Sequence, residues 1–231
     1  MRRTITLLIA ALFTTYGHVQ AASQCADTRA VTMQIHDYVH LPPQSLTRAS
    51  RLVTQLYGQI GVRTEWFPVL RQGSPRPQPD ATREPGHSPI AQVTIIVLTP
   101  EMAARGRIPE GTLGLAAVPN VGMGSIAYVI YDRVQRMAAL SGTDEMELAG
   151  FVMAHEIGHL LLGPGSQGES GLMKGHWDRN DIRQFDVVTP RFSEPEAKTI
   201  LARLEDVTTV PRAVATTGGG DPVDGCIGDL R

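Results

Sequence analysis

The chain is short of cysteine, of aromatic side chains and of net charge. Two cysteines in 231 residues provide no disulfide lattice, and none is needed, because one core in a chain this long buries about 70% of the unfolded surface. Aromatic residues make up 5% and charged residues 19%, with a formal charge of -2. No basic excess is present, which argues against a nucleic-acid partner, while 42% apolar residues is too many for a wholly disordered chain. Collagen and coiled-coil compositions are also missing. No apolar run reaches the 20 or so residues that a membrane-spanning helix requires. One compact soluble domain is the expectation.

The longest apolar run lies at the start, where Arg2 and Arg3 precede residues 5–13 and small residues follow at Ala21 and Ala22. That three-part layout predicts a secretory signal peptide over residues 1–21, hence a secreted or periplasmic protein with no stable membrane insertion after cleavage. Its removal takes two arginines and no acids, leaving 19 basic and 23 acidic residues, a net charge of -4. In an oxidising compartment Cys25 and Cys226 are free to form a disulfide joining the two ends of the mature chain.

Alternation of apolar and polar residues predicts a half-buried strand over 31–39. Apolar residues at helical spacing predict an amphipathic helix from an N-cap at Ser45 to Ile60, and a second strand follows over 62–69. Residues 71–89 hold hardly any apolar side chain and read as a Pro-rich loop insertion. Strands are expected at 92–98, 113–118 and 125–131, and a helix at 132–140. This order suggests an α+β fold, a mixed twisted sheet packed on two main helices. The domain covers residues 22–207, and 208–231 forms a C-terminal tail.

The chemistry concentrates after Thr143. Asp144 is placed to cap a helix with Glu147 three residues on, and Gly163-Pro164 is a stop signal. Within that helix His155 and His159 stand four residues apart, so both imidazoles leave one face about 5 to 6 Å apart at their origins, as two ligands of one zinc ion require. Glu156 projects beside them, where its carboxylate can reach a water on the metal without being a ligand. Apolar neighbours make an uncompensated imidazole pair costly to bury, and a metal offsets that cost.

The segment His155-Glu156-Ile157-Gly158-His159-Leu160-Leu161-Leu162-Gly163 resembles the active helix of zincin metallopeptidases, and Ser170-Gly171-Leu172-Met173 resembles the methionine turn of their metzincin branch. Together with Tyr131-Asp132-Arg133-Val134 and Trp177, residues 92–185 look similar to a group of secreted bacterial metallopeptidases. The resemblance implies a Zn2+ cofactor held by His155 and His159, Glu156 as general base and acid, Met173 as an apolar floor, and a peptide or protein substrate bound along a sheet edge. Tyr128 and Tyr131 are candidate donors to the oxyanion.

The pattern departs at the third ligand. Metzincins carry Gly three residues after the second histidine and His or Asp three beyond, where this chain has Leu162 and Gly165; the secreted bacterial group has a histidine at the position of Gln167. The third ligand is therefore open among Glu169, His176, Asp178, the Gln167 amide oxygen and His87. The competing expectation is a catalytically inactive zincin-like binding module with a degenerate metal site. Substrate preference and oligomeric state leave no mark in the sequence.

Overall fold

The computed structural model describes residues 29–71, 91–119 and 123–209. The expected signal peptide, both cysteines, His87 and nearly all of the Pro-rich insertion lie outside the described residues.

Among the described residues twelve elements follow in the order β1 (Ala30–Asp37), α1 (Pro43–Gly58), β2 (Arg63–Trp66), β3 (Leu70–Arg71), β4 (Ala91–Leu98), α2 (Pro100–Arg105), β5 (Gly114–Ala117), β6 (Ile126–Ile130), α3 (Tyr131–Ser141), α4 (Glu145–Leu162), α5 (Arg179–Gln184) and α6 (Glu194–Thr209). The strands form one six-stranded mixed sheet in the order β2-β1-β4-β6-β5, with β3 also paired to β1. Every pairing is parallel except β5 with β6. The sheet is thus more parallel than an α+β reading suggests, and its one antiparallel member is an edge strand.

Strand β1 is flanked on both sides, and Thr32 and Gln34 are buried along with Val31, Met33 and Ile35, so the half-buried strand expected here is buried on both faces. On β4 and β6 the period of two sorts the side chains. Val93, Ile95, Val97, Ala127 and Val129 enter the main core with α1 and α4, whereas Leu98 and Ile130 join Ala103 of α2 in a smaller cluster on the opposite face.

Helix α1 starts earlier than a Ser45 cap would place it. Pro43 takes the first helical position, where its missing N–H costs nothing, and Pro42 is the N-cap. Of the strand expected over 62–69 only Arg63–Trp66 forms, as β2, and the two-residue β3 at Leu70–Arg71 falls just beyond it. Three helices, α2, α5 and α6, fall where the sequence suggested none, and α6 runs two residues into the expected tail. Among the described residues no helix is long and apolar enough to cross a membrane.

Candidate metal centre

Helix α4 supplies the centre of the site. The Asp144 carboxylate accepts hydrogen bonds from the amides of Met146 and Glu147 at 2.9 and 3.0 Å, capping the amide end as its position predicts. At the other end Gly163 leaves the helix at φ 89°, a conformation a side chain rarely adopts. No residue of α4 is fully exposed, because it packs against the sheet, α1 and α6 together.

The loop after α4 folds back beneath it. Gly171, at φ 72°, turns the chain so that the Leu172 amide donates to Arg191 O at 2.8 Å, while the Gly168 amide donates to Met173 O at 2.6 Å. Lys174 closes the segment through a two-oxygen ion pair with Asp181, 2.7 Å to each, which holds that carboxyl below its usual range. Met173 is fully buried under Gly158, and a Cβ there would collide with its sulfur and meet the Phe192 ring. The expected methionine turn is therefore packed under the histidine-bearing turn.

His155 and His159 converge. Their Nε2 atoms lie 3.0 Å apart, with the rings nearly perpendicular at 85°. The His155 Nδ1 is 2.6 Å from Leu172 O, and a carbonyl only accepts, so Nδ1 carries the proton and Nε2 presents its lone pair. The His159 Nδ1 lies 2.8 Å from Ser166 Oγ. Trp177 packs edge-on against His155 at 5.0 Å between ring centroids. Burial lowers the pKa of His155, and burial followed by the neighbouring His155 pushes His159 down to about 4, so both rings are neutral at pH 7.

This pair fits a zinc ion. Two nitrogens each about 2.05 Å from a tetrahedral centre stand about 3.3 Å apart, close to the separation found, and both are neutral imidazoles oriented through their other nitrogen. Glu156 is buried beside them at 7% exposure, and burial pushes its carboxyl up to about 8.

All three side chains open into a cavity of about 770 Å³, walled on one side by β5 and on the other by residues of the 163–177 loop. Of the expected third ligands, Gln167 and His176 line this cavity; Glu169 and Asp178 do not, and Asp178 instead caps α5. Among the described residues no group of three His, Cys, Asp or Glu side chains comes together. Glu169 and Asp178 are thus not brought to the cavity, and His176 reaches it without joining the two histidines in a metal-holding group. Tyr128 packs with the α2 cluster and Tyr131 opens α3, and neither lines the cavity, so the expected oxyanion donors are not there.

Sequence reasoning missed Gly114, Ser166 and the Leu172 carbonyl. A glycine inside a strand is a weak signal of close approach; a loop serine and a backbone oxygen give none.

No family profile matches the chain, and no curated protein is similar to it in sequence. Among solved structures, the crystal structure of archaemetzincin from Methanopyrus kandleri is similar at 14% identity and a TM-score of 0.45, covering 77% of this chain and 97% of that one. A likeness of that size carries no argument about what this chain does.

Proposed function

We propose that this chain is an exported zinc-dependent metalloendopeptidase. The observation that carries the reading is the convergence of the two Nε2 atoms at 3.0 Å, each ring held from behind through Nδ1, with a buried carboxyl on the same turn of helix. A metal offsets the cost of placing two imidazoles and a carboxyl in an apolar helix, and a purely structural pair would not require the adjoining cavity.

His155 and His159 would hold the metal. Zinc bound there would supply Lewis acidity to acidify a water and polarise a carbonyl, and its positive charge would favour the ionised form of Glu156. Glu156 takes the proton of the attacking water on a carboxylate oxygen and returns it to the leaving amine. Among the described residues strand β5 pairs with β6 alone, and its outer edge would bond the backbone of an extended peptide beside Glu156. Trp177 steadies the His155 ring, and Met173 fills the space beneath Gly158 on the same helix.

Metal analysis of the purified mature protein and of Glu156→Ala, both assayed on a general protein substrate, tests the reading. Zinc in both with cleavage only in wild type supports it. No zinc and no cleavage in wild type overturns it in favour of the inactive binding module. Export is tested separately by N-terminal sequencing of protein recovered outside the cytoplasm, which the reading expects to begin near Ala22.

A further inference from the structure

Gly114 opens the edge strand β5, and its backbone does not demand a glycine, since its φ is not among the positive values of the chain. A strand glycine weakens a sheet unless something approaches closely. The space around it gives the reason. A Cβ placed on Gly114 would lie 2.6 Å from both Cγ and Oε1 of Glu156 and 2.8 Å from Cγ1 of Val152. These are distances that real Cβ atoms do not reach, and Cγ, unlike Oε1, sits too near the helix backbone to swing aside freely.

We infer that Gly114 is a positioning residue for Glu156: its missing side chain lets β5 press directly on the carboxyl arm, fixing that arm between strand and helix and setting its distance from a peptide paired to the outer edge of β5. The inference rests on the hydrolase reading for its catalytic consequence, but the contact itself does not. Val152, one turn earlier on α4, faces the same point of β5, so the strand sits against an aliphatic group as well as the arm of Glu156. Any side chain at 114 displaces either the carboxyl or the strand. The three atoms nearest to the Gly114 Cβ position all belong to Glu156 and Val152, and the histidines are held separately through Leu172 O and Ser166 Oγ, so a displaced carboxyl is expected to leave their spacing unchanged.

Two readouts on the full chain test this. In the first, Gly114→Ala is assayed on a peptide substrate that wild type cleaves; kcat is expected to fall at least tenfold with KM within threefold of wild type and zinc per chain unchanged, a split that general loosening of the fold does not produce. In the second, the melting temperature cost of Gly114→Ala is compared in wild type and in Glu156→Ala. The cost is expected to be clearly smaller when the Glu156 arm is gone, with Val152 accounting for what remains, and a single variant that fails to fold while the double variant folds gives the same answer. Equal melting costs in the two backgrounds overturn the inference, as does an unchanged kcat. If wild type cleaves nothing, the hydrolase reading fails and the melting comparison alone decides the contact.

Discussion

Helices α1 and α4 lie against each other and bury the same sheet face, yet they are built to different rules. In α1 five of 16 residues are buried, all on one stripe flanked by the half-buried Leu52, and most of the rest is polar and exposed. In α4 thirteen of 18 are buried, and one of the thirteen is Glu156. An amphipathic helix needs only to hide a stripe. A helix buried along most of its length leaves little solvent face for a carboxyl or an imidazole, so polar groups in its middle turns signal a task. The contrast teaches that the ionisable residues of α4 are informative because their helix is otherwise apolar, whereas the charges of α1 are ordinary surface.

The largest expected effect breaks the chemistry and leaves the packing. Glu156→Gln keeps the shape of the side chain but removes the base, and should lower kcat about 10^3-fold, the range for loss of a general base, with zinc content unchanged. Steady-state kinetics beside metal analysis checks it.

The same substitution should stabilise the metal-stripped protein in a pH-dependent way. An ordinary glutamate in the unfolded chain loses its proton near 4.5, whereas burial holds the folded group up to about 8. Between those values the unfolded chain releases a proton that the folded chain retains, so wild type loses stability as pH rises through this window. Glutamine has nothing to lose. Thermal melts should show Glu156→Gln above wild type by several degrees at pH 8 and level with it near pH 4.5. His159 works the opposite way: its folded pKa of about 4 gives stability that is complete above 6.5 and lost as pH falls, equally in both proteins.

A third pair of variants contrasts the helices directly. Gly158→Ala in α4 drives a methyl group into the Met173 sulfur and the Phe192 ring, an overpacking expected to cost about 1 to 3 kcal/mol. Gly58→Ala in α1 meets nothing within 4 Å and should add up to about 0.5 to 1 kcal/mol by reducing the freedom of the unfolded chain. Denaturant unfolding of both measures the difference in sign. Between these in size, Ser166→Ala removes the partner of His159 Nδ1 and should weaken zinc about tenfold in a chelator competition, while leaving the helix ends and the Met173 contact intact.

The elements that local rules govern were legible in the sequence. Asp144 and Gly163 mark the ends of α4, the apolar spacing marks α1, and the β-branched run marks β4, because capping, periodicity and strand preference act within a few residues. The four-residue spacing of His155 and His159 likewise predicted a shared face. What escaped depends on chain segments far apart. The parallel pairing of β1 with β4, the approach of Gly114 to Glu156 and the seating of Met173 under Gly158 are contacts across the fold, and no spacing encodes them. The sequence leaves the third ligand open among Glu169, His176, Asp178, the Gln167 amide oxygen and His87; Gln167 and His176 line the cavity, Glu169 and Asp178 do not, and His87 lies outside the described residues, because loop turns rather than residue type decide which side chain faces the pair.

The most direct measurement of the central claim is a zinc affinity by chelator competition for wild type and for the His155→Ala/His159→Ala double variant. The account predicts one zinc per chain in wild type, held at least 10^3-fold more tightly than by the double variant. Equal affinity in the two proteins would contradict it.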